Sequence, residues 1–118
     1  MQDGTLVEAR ALASTWGLTT QALGAAAKRG EVFTFKVANK LFYPGVFQRL
    51  ERAKVAAVCE ALAGLSPAEQ LVFWLREHGG LAGRSVEQAL QANIAISRIT
   101  ALAQAWADER KVPSDSEA

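Results

Sequence analysis

The chain is poor in the residues that carry out chemistry. Its 118 residues include one histidine, His78, and one cysteine, Cys59. A lone cysteine excludes an internal disulfide and fits a reducing compartment. His78 and Cys59 together lack the ligands for a closed metal site. No glycine loop that cradles phosphate occurs, because Gly79, Gly80 and Gly83 have neither a following Lys-Ser/Thr nor a preceding strand. Glu60, Glu69, Glu77 and Glu87 fall where capping and surface solvation account for them. No apolar run is long enough to span a bilayer, and the N-terminus lacks the basic-then-apolar order of a signal peptide. The expected protein is therefore cytoplasmic, has no membrane partner, is not an enzyme and uses neither metal nor cofactor.

What is present is apolar surface and an uneven charge. Half of the residues are hydrophobic, enough for one domain or for two very small units sharing a core. The net charge of +1 hides an asymmetry. Residues 1–58 hold eight Lys and Arg against four Asp and Glu, and residues 59–118 hold five against eight. A basic front half suits a polyanion, and an acidic rear half suits a different partner.

The front, residues 1–45, opens with a frayed Met1–Gly4. Leu6, Ala9, Leu12, Ala13 and Trp16 then recur at helical spacing, with Thr5 as cap and Glu8 completing a capping box. Gly17 bends the chain into a second helix, about Thr20–Arg29, capped by Thr19 or Thr20 and closed at Gly30. Ala13 is small enough to let the two helices cross closely, and Leu12, Trp16, Leu18, Leu23 and Ala26 turn inward. This is the helix-turn-helix arrangement, although a plain helical hairpin uses the same packing.

The outward side of the second helix carries Thr20, Gln21, Gly24, Ala25 and Lys28. Thr19, Thr20, Gln21 and Lys28 are the candidate contacts in a DNA groove, and Arg29, Lys36 and Lys40 the candidate contacts to its backbone. From Val32 the period changes. Val32–Val37 and Phe42-Tyr43, joined by an Ala38-Asn39-Lys40 turn, predict a two-stranded β-hairpin, with Phe33, Phe35, Phe42 and Tyr43 in the core. After a recognition helix such a hairpin is a wing, with Lys36 and Lys40 near its tip. In an ordinary hairpin the same lysines are merely solvated.

The rear, residues 46–111, reads as a helical bundle for dimerisation or partner binding. A long helix over Val46–Ala63 is apolar on more than one stripe and ends at Gly64. Ser66-Pro67-Ala68-Glu69 is a helix start with serine cap, proline and box glutamate. The helix it opens runs to Glu77, buries Leu71, Val72, Trp74 and Leu75, and ends with His78 as a C-terminal cation or cap. Ser85 and Gln88 open a short helix to Gln91. A last helix spans Ile94–Glu109, with Ile96, Ile99, Leu102, Ala103 and Trp106 on one face. Val112–Ala118 reads as a disordered tail. Cys59 and the three tryptophans, Trp16, Trp74 and Trp106, are expected in the core.

Two stretches resemble known families. Leu12–Tyr43, through Gly30-Glu31-Val32-Phe33-Thr34-Phe35-Lys36-Val37, resembles the winged helix-turn-helix of MerR-like and excisionase-like regulators. Val55–Ala107 resembles the toxin-binding domain of Xre/MbcA/ParS antitoxins, on Trp74-Leu75 and Leu81-Ala82-Gly83-Arg84-Ser85; Val86 stands where that family usually has proline. The resemblances imply a mainly α protein with one β-hairpin, a winged helix-turn-helix followed by a helical bundle. They imply an antitoxin-type transcriptional regulator that binds double-stranded DNA as a homodimer. Leu81, Gly83, Arg84 and Ser85 would face a partner, in that family an ADP-ribosylating or NAD-degrading toxin. The alternative is an antitoxin, immunity or adaptor module that neutralises its partner without touching DNA.

Overall fold

A computed structural model describes residues 6–116. It is mainly helical, with one small antiparallel sheet of three strands. The order is β1 (Leu6–Glu8), α1 (Ala9–Trp16), α2 (Thr20–Lys28), β2 (Phe35–Val37), β3 (Lys40–Pro44), a 3-10 turn (Gly45–Arg49), α3 (Arg52–Ala61), α4 (Pro67–Leu75), a second 3-10 turn (Gly79–Leu81), α5 (Val86–Gln91) and α6 (Ile96–Ser116). Two compact units divide between Cys59 and Glu60, inside α3, so the expected boundary after residue 45 falls within the first unit.

The first unit departs from expectation at its start. Leu6, Val7 and Glu8 do not begin a helix but pair with Pro44, Tyr43 and Phe42 of β3. A helix start leaves its first N–H groups without partners, whereas a strand on β3 gives them a ladder. Glu8 becomes the extended residue before α1 and makes no side-chain cap bond; its expected partner Thr5 lies outside the described residues, as does Met1–Gly4. The expected two-stranded hairpin is thus part of a three-stranded sheet in the order β1-β3-β2.

Both glycine turns form as read. At the end of α1, Gly17 (φ 70°) donates to Ser14 O at 3.2 Å and Leu18 to Ala13 O at 2.8 Å. At the end of α2, Gly30 (φ 82°) donates to Ala27 O at 3.1 Å and Glu31 to Ala26 O at 3.0 Å. Each is a Schellman closure, in which a left-handed residue lets the last carbonyls find donors. Thr19, not Thr20, caps α2, accepting from Ala22 N at 3.0 Å. Leu12, Ala13, Leu23 and Ala26 are buried beneath the turn, as the spacing required.

In the hairpin, Val37 pairs with Lys40 around Ala38 (φ 51°) and Asn39 (φ 66°). Two central residues with positive φ make a type I′ turn, so Lys40 belongs to β3 and not to the turn. Strand β2 begins at Phe35 and its ladder stops short of Pro44, which has no N–H to give. Val32 and Phe33 are buried all the same. Phe33 meets Phe47 edge-on at 5.5 Å, and Phe47 stacks on Trp16 at 6.2 Å. Trp16 also explains why the long helix expected from Val46 is broken. Its Nε1 donates to Leu50 O at 3.1 Å, and Leu50, extended and buried, separates the 3-10 turn from α3.

The second unit is helical. Ser66–Glu69 and Ser85–Gln88 both form the capping boxes read from the sequence. The inward side of α4 differs: Gln70, Phe73 and Trp74 are buried, whereas Val72 and Leu75 are 50% and 52% exposed. Residues 71–75 are apolar on all sides, so periodicity could not choose. Gln70 is tolerated inside because its amide donates to Leu65 O at 3.1 Å. Phe73 packs on Trp106 at 5.3 Å, and the Arg110 guanidinium lies 3.4 Å above the Trp106 ring. Helix α6 opens at Ile96 and continues through Ser116, across most of the stretch expected as a tail, since each added residue of an existing helix gains a backbone bond. Glu117 and Ala118 lie outside the described residues. Among the described residues no helix is long and apolar enough to cross a membrane.

Candidate nucleic-acid interface

Helix α2 sets most of the candidate groups. Its buried row, Leu23 and Ala26, lies opposite Gln21 and Lys28, which are two turns apart on one line of the helix. Thr20, Gln21, Ala25 and Lys28 are exposed. A Cβ built on Gly24 meets no atom within 4 Å, so nothing covers the centre of this face. Thr19 is exposed as well, but its oxygen already accepts from Ala22 N at 3.0 Å, which leaves its O–H and one lone pair for an outside partner.

The four cations expected to hold phosphate or groove differ in their neighbours. Lys28 and Lys36 form no ion pair with a described residue and are fully available. Arg29 is engaged: its Nε lies 2.9 Å from Glu31 Oε2, and Arg52 approaches the other oxygen at 3.6 Å. The hydrogen bond from Arg29 holds the Glu31 carboxyl below its usual range, and the same bond raises the already high Arg29 value. Lys40 lies 3.8 Å from Glu8.

The sheet register separates the two lysines of the hairpin. Lys36 is opposite Leu41, and Lys40 follows on the next position, so the two project from opposite faces. Glu8, opposite Phe42, shares the Lys40 face, which is why those two pair. Sequence reasoning missed Glu31 as a counter-ion. The signal was there in the left-handed Gly30, which folds residue 31 back towards residue 29.

The loop expected to face a partner is only partly free to do so. Leu81 is fully buried and cannot be a contact; the expectation is corrected there, because Leu81 anchors the loop in the core. His78 closes the loop through its backbone, donating to Arg84 O at 3.0 Å and accepting from Gly83 N at 2.9 Å and Leu81 N at 3.0 Å. Its ring is buried, with Nε2 2.9 Å from Phe73 O. A carbonyl only accepts, so Nε2 carries hydrogen and caps the last turn of α4. Gly83 and Arg84 remain exposed, and Ser85 is half-buried as the cap of α5.

One shallow groove of about 540 Å³ runs beside β1 and α1, lined by Leu6, Val7, Glu8, Arg10, Ala11 and Ser14. It contains none of the candidate contacts. Among the described residues no three His, Cys, Asp or Glu side chains gather around a point where a metal would sit. Compared with known protein families, curated proteins and solved structures, the chain matches none. The reading of function therefore rests on the residues themselves.

Proposed function

We propose that the chain is a DNA-binding transcriptional regulator of the antitoxin type, acting as a homodimer on duplex DNA. In this reading α1 and α2 are the helix-turn-helix, α2 enters the major groove, and the β2–β3 hairpin is the wing. One observation carries it: the side of α2 opposite Leu23 and Ala26 is uncovered, bears Gln21 and Lys28, and is opened by Gly24. A glutamine amide can take an adenine edge bidentately, and a lysine that pairs with no described carboxylate neutralises phosphate and releases counterions. Lys36 adds a second such lysine on the wing, whereas Arg29 and Lys40 must first exchange Glu31 and Glu8 for phosphate.

The test is a salt titration against duplex DNA. Lys28→Ala with Lys36→Ala should weaken binding at every sequence and lower the slope of log K against log salt by about 2 per bound chain, near 0.9 for each lost phosphate contact. Thermal stability should stay within about 0.5 kcal/mol, because both side chains are exposed and form no ion pair with a described residue. An unchanged slope sinks the assignment.

A second reading has its own support in the exposed Gly83-Arg84 tip, held rigid by three backbone bonds to His78. A preorganised loop with an exposed guanidinium suits a protein partner, and the chain would then neutralise that partner, a toxin or other protein, without DNA. A stable complex that Arg84→Ala weakens, together with no shift of duplex DNA, would favour this module over the regulator.

A further inference from the structure

We propose that the outward face of α4 is the surface on which two copies of this chain pair, antiparallel, about a two-fold axis beside Val72. The proposal rests on the homodimer of the regulator reading and names where that dimer closes. Ala68, Val72 and Leu75 fall at i, i+4 and i+7 and form one stripe. All three are exposed, Val72 and Leu75 by about half of their surface (50% and 52%). On the opposite side of the same helix Phe73 and Trp74 are fully buried, so the stripe is apolar surface that the unit's own core does not cover.

Charge and size together select a second copy. Glu69 and Arg76 flank the stripe on one edge, two turns apart. The Arg76 N–H still donates to Val72 O at 2.9 Å, which keeps its Cα on the α4 spiral. In an antiparallel pair Glu69 of each copy meets Arg76 of the other, twice over, whereas a parallel two-fold sets the Glu69 and Arg76 edge against the partner's Ala68 and Leu75 edge and forms neither pair. The capping box uses Oε1 of Glu69, 3.2 Å from both Ser66 N and Ser66 Oγ, and leaves Oε2 for the partner guanidinium. The same arrangement seats the large Leu75 between the small Ala68 and Val72 of the other copy, knob into hole. The stripe is short, so the association is weak, with a dissociation constant on the order of 10–100 µM.

Sedimentation equilibrium of the full chain tests this. Wild type should pass from monomer to dimer over roughly that concentration range. Val72→Gln with Leu75→Gln should raise the dissociation constant by about a hundredfold or more while leaving the circular dichroism intact. Arg76→Glu and Glu69→Lys should each stay monomeric alone, yet associate when mixed, because the mixture restores both cross-pairs. A wild type that is monomeric up to about 500 µM overturns the proposal. So does a dimer indifferent to the glutamine substitutions, or a charge-swapped mixture that does not associate. Gel shifts on the same samples separate the two readings. A dimer that shifts no DNA retires the regulator and leaves this face standing, whereas a wild type that shifts DNA strictly as a monomer retires the face alone.

Discussion

Helices α2 and α4 are equally short, nine residues each, and their outer faces are opposites. Helix α2 hides leucine and alanine and shows glutamine, threonine and lysine with no acid among its nine residues. Helix α4 hides phenylalanine, tryptophan and a glutamine, and shows valine and leucine. The first face is at ease in water and offers cations to a polyanion. The second exposes apolar surface whose burial is worth about 25 cal/mol per Å², and it is therefore driven towards a cover. The difference teaches that amphipathic spacing identifies an inward row only where the other side is polar.

The sharpest way to break this comparison is through the buried rows. Leu23→Ala in α2 and Phe73→Ala in α4 should each cost about 2–5 kcal/mol in urea unfolding, since both side chains are fully buried and leave a cavity. Leu75→Ala, in dilute protein, should cost less than about 1 kcal/mol. A Leu75 effect as large as that of Phe73 would mean that α4 is turned the other way. Leu81 and Arg84 give the same contrast within one loop, a buried leucine whose truncation costs about 2–5 kcal/mol beside an exposed arginine whose truncation costs within about 0.5 kcal/mol.

Backbone conformation gives a smaller effect. Ala38 and Asn39 occupy the two left-handed positions of the type I′ turn, where asparagine and glycine are preferred. Ala38→Asn with Asn39→Gly should raise the unfolding free energy by about 0.5–1 kcal/mol, because asparagine tolerates the left-handed backbone better than alanine and glycine carries no Cβ to strain it. A loss on thermal unfolding would show that the turn is of another type.

The smallest expected effect is electrostatic. Glu31, held below its usual range chiefly by the hydrogen bond from Arg29, contributes stability that is present above the ordinary carboxylate range. That contribution fades as pH falls through the depressed value. Glu31→Gln should therefore narrow the difference in Tm between neutral and acidic solution. The pair is exposed and solvent-screened, so the change is slight and vanishes in high salt. A variant with the wild-type acid profile would show that the Arg29–Glu31 pair contributes nothing measurable.

Much of the first unit was legible because its signals are local. Gly17, Thr19, Gly30 and Asn39 act through their own backbone within a few residues, and so do the serine caps of the second unit, Ser66 and Ser85; all of them form as read. The exposed α2 face followed from the spacing of Leu23 and Ala26. What was not legible depended on partners distant in sequence. Leu6–Glu8 is helical by period and a strand by virtue of residues 42–44. Val46–Ala63 is one helix by composition and two by virtue of a bond from Trp16 to Leu50.

Sequence alone was enough for the helix ends that carry their own caps, at Gly17, Thr19, Gly30, Ser66 and Ser85, since capping and left-handed turns are settled within four residues of chain. It also determined that the front of the chain carries the positive charge. Only the tertiary structure decided which of those charges are free, because Glu31 and Glu8 reach Arg29 and Lys40 through a turn and a strand pairing. It alone decided the outer face of α4 too. A helix apolar on every side takes its orientation from what packs against it, and Phe73 reaches Trp106 where Val72 and Leu75 reach water.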